Sequence, residues 1–298
     1  MNGVANVFKL PGQTSRDAVD AVRRLSGCRK AGHAGTLDPG AAGVLPVLLG
    51  RATPLQEYLS GLEKVYVAEA TFGMETDSSD AYGEVVELAD SAAIDRADLE
   101  AAIPRFVGEI NQIPPMTSAL KRKGVPLYRL ARRGIEVERQ PRTVRVSDLN
   151  LLDWRGGDNP RALLEIRCSS GTYVRTLIAD LARAAGSRAF MSFLVRTGVG
   201  PFGFRDAQIV GHAGEKLPEI IPPAEAVDFM PSVTLSDEQS MKVVHGNVPS
   251  GLDLPRDQVV RLLWRSGRLV ALASKEPGAT RTRLLRVFLR PEEIGEGS

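Results

Sequence analysis

The chain has 298 residues, 43% apolar and 25% charged, an ordinary globular balance that suffices for a buried core in one large or two ordinary domains. A net charge of +2 says nothing by itself about an anionic partner, and two cysteines, Cys28 and Cys168, are too few for a disulfide framework, which points to a reducing cytosol. Histidines scattered at 33, 212 and 245 give little support to a metal site, and no apolar run approaches the roughly 20 residues that span a bilayer, so a soluble, unexported protein without metal is expected.

Thr14 and Ser15 can cap a helix with Asp17 in its first turn, and Val19, Val22 and Leu25 supply an apolar stripe ending near Gly27. The most informative stretch follows, Lys30 to Gly50, KAGHAGTLDPGAAGVLPVLLG. Glycines at 32, 35, 40 and 43 permit tight turns and close approach to a ligand, and Val44 to Leu49 reads as a buried element that anchors the loop. One ionisable carboxylate, Asp38, is thereby held rigidly, with His33 five residues upstream; Asp-Pro-Gly by itself is also a common surface turn. No Gly-Lys-Ser/Thr ending supports a nucleotide-phosphate loop.

Residues 65–72, VYVAEATF, alternate as a strand with Tyr66, Ala68, Ala70 and Phe72 on one face. Residues 84–88 look like its hairpin partner, across a polar, turn-rich connection that contains Asp77 and Asp80. Leu99, Ala102, Ile103 and Phe106 recur at helical spacing, interrupted by Pro104. Strands are expected at about 143–152 and 162–168. Gly171 then leads into a helix striped by Val174, Leu177, Ile178 and Leu181 and stopped by Gly186. Arg175 lies off that stripe at the positive helix end, where a guanidinium is unfavourable, so it is expected to answer a carboxylate elsewhere. Residues 188–197 alternate as another strand.

Four prolines between about 211 and 231 mark the best domain boundary, dividing the chain into units 1–228 and 231–291. Beyond it, Ser236 and Gln239 form a capping box for a short helix closed by Gly246, and strands at about 258–264, 268–273 and 283–289 make a small, mostly β module. Charge is uneven along the chain. Residues 1–120 carry 10 Lys/Arg against 16 Asp/Glu, whereas residues 121–145 carry nine, among them Lys121, Arg122, Lys123, Arg132 and Arg133, against two. Residues 231–290 carry ten against five. Two basic regions on an acidic body are what phosphate-backbone binding requires, although a solvated charged face has the same composition.

Five blocks now fall in one order: GHAGTLDPGAAGVLPVLLGRAT (32–53), KVYVAEATFG (64–73), QIPPMTSALKRKGVPLYRLARRGIEV (112–137), SSGTYVRTLIADLA (169–182) and LVRTGVGPF (194–202). Over nearly its whole length the chain resembles the bacterial TruB family of tRNA pseudouridine synthases, which make pseudouridine 55 in the TΨC loop. The resemblance implies an α+β pseudouridine synthase fold, with a central mixed, largely antiparallel sheet flanked by helices and loops and a small PUA-like β-barrel RNA-binding domain from about residue 231. It implies that Asp38 is the essential aspartate, Tyr66 the tyrosine that stacks on the flipped base and Arg175 the arginine that pairs with the aspartate. Tyr173 and Leu194 match residues lining the uridine pocket, His33 matches one that touches RNA where the base is extruded, and 121–145 is similar to the thumb that folds onto the T arm. A cytoplasmic monomer with tRNA as partner and no cofactor is implied. Two positions depart from the pattern: Leu10, where proline is more usual, and Thr117, where an aromatic is common.

The chemistry fits those roles. Isomerising uridine breaks the N1–C1′ bond, turns the base and joins C5 to C1′ without net electron transfer, so an ionised carboxylate that attacks or deprotonates is sufficient. An arginine within ~4–6 Å favours the charged carboxylate that burial would neutralise. From residue types alone, Tyr66 reads first as a core strand tyrosine, Arg175 as a structural ion pair or phosphate contact and His33 as an ordinary loop histidine. Two other functions use the same residues: a tRNA-binding folding chaperone whose catalysis is secondary, and a hydrolase or glycosylase. The last needs a second carboxylate, and turn chemistry explains the nearest candidates, Asp77 and Asp80, better.

Overall fold

The computed structural model describes all residues except 91–93, 119, 123, 132, 213, 276–281 and 295–298, so Lys123 and Arg132 of the basic stretch lie outside the described residues. Its centre is an 11-stranded mixed sheet. In spatial order the longer strands are Gly3–Lys9, Ala42–Leu49, Ala189–Val199, Lys64–Phe72, Arg161–Cys168, Arg142–Arg155 and Gly108–Gln112. These neighbours run antiparallel except for the pair Ala42–Leu49 and Ala189–Val199. Ala42–Leu49 reads as an unbroken apolar run because both of its faces are covered. Leu45, Val47 and Leu49 meet Val19 and Val22 of the helix Ser15–Ser26, while Val44 and Leu48 meet Leu55, Leu59 and Phe288.

Most expected elements form with small shifts at their ends. Thr14 and Asp17 make the capping box of Ser15–Ser26, and Gly27 closes it in the left-handed region at φ 63°. Ala68, Ala70 and Phe72 enter one core cluster, with Tyr66 packed at its margin. Pro104 converts the end of helix Arg96–Ala102 into a 3-10 turn, Ile103–Phe106.

The expected pairing of 84–88 with 65–72 is incorrect. Val85–Leu88 pairs instead with Met74–Thr76, and the strand Lys64–Phe72 lies between Arg161–Cys168 and Ala189–Val199. Gly73, at φ 95°, ends the long strand and starts the separate hairpin, a break that alternation on either side conceals.

The C-terminal part forms its own four-stranded sheet of Ser232–Leu235, Val259–Trp264, Leu269–Ser274 and Arg283–Val287. Ser232–Leu235 joins it in parallel and is hidden in the sequence by the preceding irregular stretch. That stretch is packed: Ile220–Ile221 pairs with Gly3–Lys9, and Ala224, Ala226, Val227 and Met230 share a core with Val4, Leu48, Leu269, Leu272 and Phe288. The basic stretch forms a hairpin of Lys121–Arg122 with Val125–Pro126, followed by the helix Leu127–Ala131, which buries Leu127. Among the described residues no helix is long and apolar enough to cross a membrane.

Candidate active site

The loop that carries Asp38 is fixed from both sides. The Ser15 hydroxyl accepts from the Leu37 N–H at 2.8 Å and donates to the Leu37 carbonyl at 3.1 Å, tying the loop to the start of a helix. The Ala41 N–H donates to the Asp38 carbonyl at 3.1 Å and closes the turn. Beneath it, the buried Lys9 ammonium donates to the carbonyls of Leu10, Gln13 and Pro39 at 3.1, 2.7 and 3.3 Å. Gly43, expected to approach a ligand, approaches protein instead. It sits at φ 122°, and any Cβ there would collide with the backbone of Arg196 on the neighbouring parallel strand.

Arg175 is the second residue of the helix Val174–Ala184, and its guanidinium points away from solvent, with 5% of the side chain exposed. One nitrogen lies 3.6 Å from the Asp38 carboxylate, whose side chain is 48% exposed. The same guanidinium donates to Asp80 at 3.2 Å, to the Thr117 hydroxyl at 2.5 Å, to the Thr117 carbonyl at 3.0 Å and to the Ser78 carbonyl at 3.4 Å. The carboxylate that Arg175 is expected to answer is therefore a pair. Asp80 keeps its turn role as well, accepting from the Ser78 hydroxyl at 2.6 Å and the Tyr82 N–H at 3.0 Å. Tyr173, just before the helix, is held by Gln112, whose side chain accepts from its N–H at 2.9 Å and donates to its carbonyl at 3.1 Å.

A cleft of about 360 Å³ opens beside the Arg175–Asp38 pair. Asp38, Tyr66, Tyr173, Arg175 and Leu194 all line it, although they come from stretches of the chain far apart in sequence. His33 is not among its lining residues. It lies on the short strand Ala31–His33, where burial, aided by the charge of Arg196, holds its ring below the usual imidazole range. Of the basic-stretch candidates, Arg122 and Arg133 are exposed, and the Arg122 guanidinium donates to the Glu138 carbonyl at 2.7 Å.

The cleft also has a cationic wall, formed by Lys64 and Arg196. Arg196 is buried beside Tyr66, its register partner, and donates to the carbonyls of Val44 at 2.8 Å and Gly35 at 3.0 Å. Lys64 donates to the carbonyls of Ser60 at 2.6 Å and Leu62 at 2.5 Å, and burial lowers it to about 8. Burial likewise lowers Lys9 to about 8 against the pull of Asp38, and it pushes the Tyr66 phenol up while Arg196 opposes the shift. A signal exists in the alternation. Lys64 and Tyr66 share one face of their strand, and Leu194 and Arg196 share one face of theirs, so each aligns a charge with a residue already assigned to the pocket. Among the described residues no cluster of three His, Cys, Asp or Glu is arranged to hold a metal.

Residues 23–174 match the family described as TruB family pseudouridylate synthase, N terminal domain. The chain belongs to that family. It is 50% identical over 250 residues to tRNA pseudouridine synthase B of Symbiobacterium thermophilum, an alignment that covers 84% of each protein. It is 41% identical over 297 residues to the protein of the same name from Moorella thermoacetica, covering 95% of this chain and 97% of the other. Among solved structures it is similar to a chain of a Cbf5-Nop10-Gar1 complex, with a TM-score of 0.71 and 27% identity over 97% of this chain and 86% of that one. TruB membership makes the chain a pseudouridylate synthase, an isomerase, with the α+β fold expected from its motifs.

Proposed function

We propose that the chain converts uridine 55 in the TΨC loop of tRNA to pseudouridine, with Asp38 as the reactive carboxylate, Arg175 as its ion-pair partner and Tyr66 as the face on which the extruded base stacks. The observation that carries this reading is the 3.6 Å pair of Arg175 and Asp38 at a cleft also lined by Tyr66, Tyr173 and Leu194. The relatives' names specify tRNA as the substrate. The half-exposed Asp38 becomes enclosed when a base enters above it, and the buried guanidinium supplies the opposite charge beside it.

In the reaction the N1–C1′ bond breaks, the base turns, the C5–C1′ bond forms, and the C5 proton leaves while N1 gains one. Stacking on Tyr66 contributes on the order of 1–3 kcal/mol and offsets the few kcal/mol of unstacking. The exposed arginines of 121–145 grip the T arm, which is recognised chiefly by its shape, and the unit 231–291 acts as a PUA-like RNA-binding module. Nothing in this chemistry needs a second protein, and we take the enzyme to act as a cytoplasmic monomer.

The test is tritium release from a T-arm hairpin labelled at uridine C5. The wild type releases tritium, whereas Asp38→Asn releases none and binds the hairpin within about tenfold of wild type. Unfolding of Asp38→Asn, or free uracil among the products, contradicts the reading.

A further inference from the structure

Tyr82 lies beside this machinery without belonging to it. It is 79% exposed, and Val85, Val86 and Leu88 on the adjoining hairpin strand are exposed as well. The ring lies against Gly40, two residues beyond Asp38, where any Cβ would collide with the phenol. Its backbone is fixed. The Tyr82 N–H donates to one Asp80 oxygen at 3.0 Å, the other Asp80 oxygen accepts from Arg175 at 3.2 Å, and the Ala81 N–H donates to the Met191 carbonyl at 3.1 Å. A relay of polar interactions thus joins this residue to the Asp38 carboxylate, from Tyr82 to Asp80, from Asp80 to Arg175, and from Arg175 to Asp38.

An aromatic ring left in water gains nothing from the core, so its position calls for an occupant. Extruding a uridine leaves the neighbouring bases of a single-stranded loop without a stacking partner, and an exposed ring on a hydrogen-bonded turn offers one. We propose that Tyr82 is a second stacking platform, beside the Asp38 loop, for a base adjacent to the target uridine. The inference rests on the RNA-modifying function proposed above and adds to it a residue that governs substrate fit.

The experiment measures kcat, KM and hairpin Kd for wild type, Tyr82→Ala and Tyr82→Phe, using tritiated T-arm hairpins with an intact loop or with one abasic nucleotide directly 5′ or 3′ of the target. Tyr82→Ala is expected to raise KM and Kd about five- to a hundredfold, the range of one base stack, with kcat within about twofold of wild type. Tyr82→Phe retains wild-type values. In one of the two abasic hairpins, wild type and Tyr82→Ala become equal. The platform is overturned by an unchanged KM and Kd in Tyr82→Ala, by equal damage in Tyr82→Phe, by a loss confined to kcat, or by an alanine penalty that persists in both abasic hairpins. Absence of tritium release by the wild type strikes the proposed function instead, and the platform is then judged by the same ranking of Kd values.

Discussion

Five acceptor groups converge on the guanidinium of Arg175: Asp38, Asp80, the Thr117 hydroxyl, and the carbonyls of Thr117 and Ser78. A lysine would keep the charge and lose the fork, so Arg175→Lys is expected to lower kcat roughly 100-fold through misplacement of Asp38, with the folded circular dichroism spectrum retained. Lys9 makes a pH-dependent contribution. Its folded value is about 8 against an ordinary 10.5, so between those values the unfolded chain binds a proton that the folded chain does not. Stability from this group therefore rises with pH above about 8, and below 8 its burial is a constant cost. Urea denaturation at pH 8 and pH 10 is expected to show a smaller gain for Lys9→Met than for wild type. At this scale the pairing of Arg175 with a carboxylate was legible, because a guanidinium at a positive helix end has to be answered from elsewhere. Arg196 and Lys64 were not, because the depth of a charged side chain is set by strands that lie far away in sequence. Thr117 was legible only as a departure; its hydrogen bonds with Arg175 emerge from the fold.

Elements were legible where one periodicity governed them and failed where a single residue redirected the chain. The helix Ser15–Ser26 and the strand that carries Tyr66 came from capping and alternation. The hairpin Met74–Thr76 with Val85–Leu88 was misassigned because Gly73 redirects a pattern that otherwise looks continuous. Gly43 marks another junction, the parallel seam beside Arg196. Gly43→Ala combines left-handed backbone strain with a backbone clash, and is expected to destabilise by about 2–3 kcal/mol or more in denaturant titrations. In the basic stretch, Arg129 and Arg133 are exposed on a segment anchored by the buried Leu127. Replacing both with alanine is expected to weaken hairpin binding and to flatten the slope of log K against log salt by about two, one for each phosphate no longer neutralised.

Across the whole molecule the two sheets share one apolar junction, in which Leu269, Leu272 and Phe288 meet Val4, Leu48 and Leu55. Glu293 reinforces it by pairing with Arg51 at 2.7 Å and Arg268 at 2.8 Å. Phe288→Ala is expected to cost about 3–5 kcal/mol in calorimetry, since its ring fills the core that the two sheets share. The irregular composition of 211–231 marked a domain boundary in the sequence, and Ala224, Ala226, Val227 and Met230 of that stretch pack into this junction. A ribosome delivers the strands in a different order from the one in which they lie. Gly3–Lys9 and Ala42–Leu49, which flank the Asp38 loop, emerge early, and the block containing Tyr66 and Arg175 follows. Ala189–Val199 emerges after both, yet it occupies the gap between them. A nascent polypeptide that ends at residue 188 therefore carries Asp38 on one half and Tyr66 with Arg175 on the other, without the strand that seams the halves together.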